Sequence, residues 1–178
     1  MGTRGFAGAI ATDNKKIADK IDCAINMGKP GSTRYKEADT LGFRGASQEL
    51  QCGLAYAGFR HMDEWQKQRQ KIIRKIWSEL ENLPIRFIKG GKYCLSSYHK
   101  IPLEIENRND FIKFMKANGI DARLTYVTNW SKTFGSGKTM PMSDRLSNST
   151  CNLPLSPFFK EAEVQKIIKT VKRYFSAG

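Results

Sequence analysis

Residues 41–80 read LGFRGASQELQCGLAYAGFRHMDEWQKQRQKIIRKIWSEL, and this stretch decides the fold. It opens on a glycine-spaced loop, Gly42-Phe43-Arg44-Gly45, and runs into one helical pattern. Leu50, Leu54, Met62, Trp65, Ile72, Ile73, Ile76 and Leu80 recur at helical period and make a single apolar stripe. Ser47 stands where an N-cap is needed, with Glu49 in the first turn behind it. A helix from Ser47 to Asn82 runs about 54 Å at 1.5 Å per residue, longer than a small domain is wide. A helix of that length links two domains or reaches a neighbouring subunit. The plainer alternative is a surface helix kinked at Gly53 or Gly58.

Upstream of it, residues 8–12 read as a short strand, and Asp13 or Asn14 then caps a helix. That helix carries Ile17, Ile21, Ala24 and Ile25 on one face, and Gly28 follows its end. One strand with one helix is an orphan unit: either the strand pairs with the later sheet or, the preferred reading, its proper sheet belongs to a larger α/β domain missing from this chain. Residues 29–44 are a polar connector that begins at Pro30-Gly31-Ser32.

Downstream, Pro84 stops the long helix. Ile85–Ile88 and Cys94–Ile105 read as strands around a Gly90-Gly91 turn. Asn107 or Asn109 starts a helix with Phe111, Ile112, Phe114 and Met115, which Asn118-Gly119 ends. Ala122–Val127 alternates as a strand does. A loop over 128–141, a short helix near Ser143–Ser149 and an extended Leu153-Pro154-Leu155 come next. The last helix, Glu161–Phe175, aligns Val164, Ile167, Ile168, Val171 and Phe175. The order after the long helix is β-β-α-β-α-β-α. The fold class is therefore α+β: a long linking helix, then a small, mainly antiparallel sheet with helices, plus one strand-helix unit left over from a larger α/β domain. The domains divide as 1–46, the end of a larger domain, and 47–178, the linking helix and a C-terminal small domain.

Composition narrows the function. At 178 residues and 40% hydrophobic, the chain can bury a core. No apolar run approaches membrane-helix length and no leader pattern opens the chain, so a cytoplasmic protein is expected. Cys23, Cys52, Cys94 and Cys151 form no CxxC pair, and with only His61 and His99 beside them no metal site is expected. The net charge of +13 is spread over the polar faces of helices, and a solvated surface explains most of it. No basic-aromatic sheet signature and no helix-turn-helix pattern point to nucleic acid.

Gly135-Ser136-Gly137-Lys138-Thr139 looks like the end of a phosphate-binding loop, but Lys132 stands where that pattern needs its first glycine. It reads as a flexible basic loop. The glycines of residues 2–8 precede a strand instead of following one, which argues against a dinucleotide fingerprint. His99, in Ser96-Ser97-Tyr98-His99, falls at the inner end of a strand, and a structural histidine is the default there. His61 lies near Asp63 and Glu64 and is solvated. No acid-base pair and no nucleophile-base set emerges.

Several motifs in order carry a resemblance. They are Gly5-x-x-Gly8-Ala9-Ile10-x-Thr12-Asp13, Leu41-Gly42-Phe43, Glu49-Leu50-Gln51, and His61-Met62-Asp63-Glu64-Trp65 with Arg69. Ser97-Tyr98-His99, Gly119-Ile120-Asp121, Tyr126 and Leu153-Pro154-Leu155 complete the set. Together they resemble the carboxy-terminal half of the DegT/DnrJ/StrS-type sugar aminotransferases, pyridoxal-phosphate enzymes of the aspartate aminotransferase fold.

The resemblance implies amino transfer, usually from glutamate, to a nucleotide-linked keto-sugar. It places the family's Schiff-base lysine just before Met1, and the groups that hold the pyridine ring earlier still. The implied catalytic set in this chain is therefore none, and the chain alone is expected to be inactive. Pyridoxal phosphate is implied only together with the missing N-terminal half. The implied partners are a second copy, as a homodimer, or a complementary N-terminal half chain.

In the family the loop before the long helix reaches the cofactor phosphate of the partner subunit. Arg44 and Ser47 are the implied cofactor-binding residues here, with Arg44 where the family commonly has asparagine and Ala46 where it has a basic residue. Tyr126 and His99 are the implied substrate-binding residues. The family's His-Tyr-Pro is Thr125-Tyr126-Val127 in this chain, so only the tyrosine matches. An incomplete aminotransferase of this kind should expose an apolar face around Ile10, Ile17, Ile21 and Ile25. The competing reading is a non-enzymatic module that uses a basic surface for an anionic partner, and steeply salt-dependent binding would mark it.

Overall fold

Asn14 begins the ordered architecture by accepting hydrogen bonds on its side chain from the Lys16 and Ile17 amides, the N-cap of α1 (Lys15–Ile25). This is the computed structural model of the chain, and it describes residues 8–31, 37–45, 48–91, 93–125, 130–135 and 140–176. The chain forms two compact units, Met1–Met62 and Asp63–Gly178. Among the described residues no helix is long and apolar enough to cross a membrane.

In the first unit, residues 8–12 form no strand. A strand exists only by its neighbour, and no described segment pairs with them. The expected face is open: Ile10 is 73% and Ile17 47% exposed, while Ile21 and Ile25 are half-buried. Helix α2 (Glu49–Arg60) adds Leu50, Tyr56 and Phe59 to the exposed apolar surface.

The expected single long helix is interrupted. It ends at Arg60, and α3 (Met62–Leu80) begins after one residue. His61 adopts φ −103°, ψ 2°, and its amide bonds back to the Gly58 carbonyl at 3.3 Å, tightening the last turn. Gly53 and Gly58 weaken α2 by their own backbone entropy, yet the break falls at neither. Ser47, the expected N-cap, lies outside the described residues. The residue at the cap position is Gln48, whose side chain makes no capping bond.

The second unit holds the main core. Ile72, Ile73, Ile76 and Leu80 of α3 are buried, the inner half of the stripe read from the sequence. They join one cluster with Phe111, Ile112 and Met115 of α4 (Arg108–Ala117) and with Val164, Ile167, Ile168 and Val171 of α7 (Glu161–Ser176). Gly119, at φ +73°, turns the chain out of α4 beyond its Asn118 C-cap. Lys75–Glu161 and Lys172–Glu79 pair α3 with α7 at the surface (the second at 2.8 Å), where such pairs contribute little.

The sheet is antiparallel throughout, in the order β1-β2-β4-β3, with β1 at Arg86–Phe87, β2 at Ile101–Glu104, β3 at Arg123–Leu124 and β4 at Thr150–Leu153. Ile101 and Leu103 of β2 face the core with Cys151 and Leu153 of β4, all fully buried. β1 is short for a covalent reason. Ile88 donates to the Pro102 carbonyl at 3.0 Å, but proline has no N–H to return the bond, and the ladder stops. The strand expected over Cys94–Ile105 shrinks to Ile101–Glu104 because the Ser96 and Ser97 carbonyls bond to Gln70 and Arg69 of α3 instead of to a neighbouring strand. The loop expected over 128–141 contains α5 (Trp130–Phe134), and α6 (Pro141–Ser149) starts earlier than its sequence pattern suggests.

Cys23 and Cys151 are buried, Cys52 and Cys94 exposed, and all four are free thiols. Among the described residues no cluster suited to a metal ion occurs.

Glu104 ties the sheet to α6. Its carboxylate accepts from Arg86 (Nε at 2.7 Å), from Ser149 Oγ at 2.9 Å, and pairs with Arg145 at 3.3 Å. The Arg86 hydrogen bond is the main reason that its pKa lies below the ordinary carboxylate value, against the opposing effect of burial. A lowered folded-state pKa adds stability above the unfolded value, and that stability is lost as pH falls through the folded value. Glu104→Gln should therefore cost about 1–2 kcal/mol at neutral pH. The gap between the variant and the native chain should close on acidification below pH 4.5, the ordinary value. Urea melts at pH 7 and pH 3 check this; a gap that is constant with pH would refute it.

Candidate functional site

Arg44 is held by a backbone clamp within the first unit. Past α1, Met27 and Gly28 take φ of 61° and 78°, both in the left-handed region, and turn the chain sharply. The returning segment bonds onto this turn. Phe43 N donates to Ala24 O at 2.8 Å, Met27 N to Phe43 O at 3.1 Å, and Gly45 N to Ile25 O at 2.8 Å. Asn26 and Arg44 thereby form an antiparallel bridge.

The clamp is possible only with glycines. A Cβ on Gly28 would stand 1.8 Å from the Thr40 carbonyl oxygen, and one on Gly42 would stand 2.0 Å from the Gly28 nitrogen. The glycine spacing noted in the sequence thus has a steric cause, though its partner, Gly28, was read only as a helix terminator. Arg44 itself is exposed, and among the described residues its guanidinium has no hydrogen bond or ion pair. A free guanidinium on a rigid loop is suited to a phosphate.

His99 belongs to the second unit. It is exposed and sits in the turn before β2, not at the inner end of a strand. The preceding Tyr98 has φ +31°, a costly conformation for an aromatic residue. Three contacts hold it. Its hydroxyl accepts from the Gly90 amide at 2.9 Å, its ring meets Trp77 edge-on at 5.4 Å, and Arg69 Nε bonds the Ser97 carbonyl at 3.3 Å.

The turn forms one wall of an open groove of about 570 Å³. Lys89, Ser96, His99, Lys100, Thr125 and Asn152 are among its lining residues. Asn152 is a buried polar residue on β4, 8% exposed, and its Nδ2 donates to Thr125 Oγ1 at 3.2 Å. His99 and Asn152 also border an adjoining cleft with Asp121 and Arg123. There Arg123 Nε donates to both Asp121 oxygens at 2.9 and 2.8 Å, and this bond holds the Asp121 carboxyl below its ordinary pKa.

Sequence reading singled out neither Lys89, Lys100 nor Asn152. Asn152 carried a weak signal, an amide between Cys151 and Leu153; the two lysines carried none. Tyr126 and the 136–139 part of the phosphate-loop look-alike lie outside the described residues. Arg44 and His99 belong to different units.

The DegT/DnrJ/EryC1/StrS aminotransferase family profile matches residues 1–172, and the chain belongs to this family. Among curated relatives, it is 23% identical to the erythromycin biosynthesis sensory transduction protein EryC1 of Saccharopolyspora erythraea, over 97% of this chain and 48% of that protein. It is 20% identical to the dTDP-3-amino-3,6-dideoxy-alpha-D-galactopyranose transaminase of Aneurinibacillus thermoaerophilus, over 94% of this chain and 46% of that one. The chain spans about half the length of the curated relatives it matches.

Solved structures share the fold. A DegT/DnrJ/EryC1/StrS aminotransferase from Brucella abortus superposes with a TM-score of 0.81 at 21% identity, over 92% of this chain and 44% of its own. NtdA from Bacillus subtilis, with bound cofactor PMP, superposes with a TM-score of 0.78 at 17% identity, over 92% and 40%.

Proposed function

We propose that this chain is the C-terminal portion of a pyridoxal-phosphate-dependent aminotransferase that acts on nucleotide-linked keto-sugars with an amino-acid donor. The family match over residues 1–172, together with coverage of half of each relative, carries this reading. The cofactor, when bound, supplies the electron sink and the carbonyl through which an amino group is exchanged. Arg44 fits one contact to it. Its unpaired guanidinium on a glycine-locked loop would hold the phosphate oxygens of a cofactor bound by a partner copy. Ser47 would add a hydroxyl to the same contact, and His99 and Tyr126 would face the sugar substrate.

Residues 1–46 then end a large cofactor domain, and 47–178 supply the linking helices and small domain. The exposed Ile10, Leu41, Phe43 and Leu50 support a covering partner, either a second copy or a complementary N-terminal half chain. In this reading the chain alone carries no cofactor lysine and no transaminase activity.

Borohydride reduction of the purified chain with pyridoxal phosphate, followed by peptide mass mapping, tests that last statement. Sparse labelling over many surface lysines is expected. One stoichiometric adduct on a single lysine would overturn it and make the chain a self-sufficient cofactor binder.

A further inference from the structure

We infer that the outer edge of β1 pairs with the β1 edge of a second copy of this chain, two-fold about Phe87, with Lys89 of each copy meeting Glu81 of the other. This surface lies in the second unit, differs from the exposed face of α1 and α2, and does not rest on the aminotransferase reading. β1 is the terminal strand of the sheet, and among the described residues no strand pairs with its outer side. In an antiparallel ladder alternate residues turn their backbone groups toward the neighbour. Ile88 donates to the Pro102 carbonyl, and Arg86, two residues away, is aligned with Glu104, so both face β2. Phe87 stands between them and turns its N–H and C=O outward.

A groove of about 480 Å³ runs along this edge, lined by Trp77 and Glu81 of α3 and by residues 85–89. Ile85 and Phe87 pack against the core cluster yet are only half-buried, which leaves apolar surface for a second strand to cover. Charged side chains normally guard such an edge. Arg86 is the one charged residue of β1, and Glu104 already holds its guanidinium.

The two ends of the groove carry opposite charges. Glu81 is exposed where α3 has ended, close in the chain to Ile85, and Lys89 is exposed at the far end, its ammonium 4.9 Å from the centroid of the Trp77 ring. Neither makes a hydrogen bond or ion pair with another described residue. Setting Phe87 against Phe87 of a second copy exchanges two backbone bonds and brings Lys89 opposite Ile85, at the Glu81 end. The two-fold repeats that contact, so both acids and both ammoniums are paired. A parallel pair would set lysine by lysine and glutamate by glutamate, so the charges select the antiparallel arrangement.

Sedimentation and native mass spectrometry of the full chain test this inference. Two backbone bonds and a small apolar contact make a weak interface, so a dimer is expected at about 0.1 mM chain. Lys89→Glu alone, or Glu81→Lys alone, places like charges together at both contacts and should weaken dimerisation about tenfold. Melting temperatures check that each variant is folded. Mixed in equal amounts, with one variant isotope-labelled, the two should form heterodimer in large excess over either homodimer. The introduced carboxylate of one then meets the introduced ammonium of the other, and native Glu81 meets native Lys89.

A native chain that stays monomeric at that concentration would overturn the inference, as would undiminished association in either variant. A statistical mixture of homodimers and heterodimers would also overturn it, since that is the result for copies joined through the exposed face of the first unit. None of these readouts involves cofactor or turnover, so failure here is separate from failure of the aminotransferase reading in the borohydride experiment.

Discussion

Alanine at position 42 should unfold the loop that presents Arg44. The added Cβ would lie 2.0 Å from the Gly28 nitrogen and 2.6 Å from the Met27 carbonyl carbon, and both contacts are backbone. Neither can rotate aside as a side chain would, and the Met27-Gly28 turn is already committed to the left-handed region. The clamp must open, and the Phe43 and Gly45 amides lose their bonds to the Ala24 and Ile25 carbonyls. The expected cost is about 3 kcal/mol or more, at the high end for a single methyl group. Hydrogen exchange read at Phe43 and Gly45 decides the matter. Native-like protection of both amides in the Gly42→Ala chain would show that the clamp tolerates a side chain.

Phe111→Ala should be the most damaging substitution in the second unit. Phe111 is fully buried, its ring meets Tyr174 edge-on at 5.2 Å, and it joins α4 to the cluster that includes α7. Truncation leaves a cavity that the surrounding Ile and Met side chains fill only in part, at a cost of about 3–5 kcal/mol. Urea unfolding followed by the fluorescence of Trp77, itself packed against this cluster, gives the number. A loss below about 1 kcal/mol would mean that the ring does not sit in a close-packed interior.

The second unit was largely legible in the sequence because its signals are local. Asn118-Gly119 ends α4 as its chemistry requires, and α7 buries Val164, Ile167, Ile168 and Val171 at the spacings read from the chain. Strand lengths were less legible, since they depend on non-local facts. Pro102 halts the β1 ladder only because Ile88 is the residue opposite it, and residues 96–97 leave the strand only because Gln70 and Arg69 stand within reach. The long stripe from Leu50 to Leu80 was read as one helix since periodicity counts residues and not backbone angles, and His61 interrupts it with no proline to announce the break.

The site divides in the same way. Arg44 and His99 came from motif order, which marks positions without showing their surroundings. The Gly28–Gly42 contact, the Tyr98 backbone and the Asn152–Thr125 bond are meetings of distant residues, and no single stretch displays them.

The placement of the thiols has a practical consequence. Burial pushes the Cys151 thiol up to about 12, so it offers almost no thiolate at neutral pH, and Cys23 is also enclosed. Cys52 and Cys94 are open to solvent, one in each compact unit. The native sequence therefore carries two addressable handles for maleimide dyes, one on either side of the break at His61. A dye on Cys52 or on Cys94 would therefore report on the unit that carries it, without a single engineered cysteine.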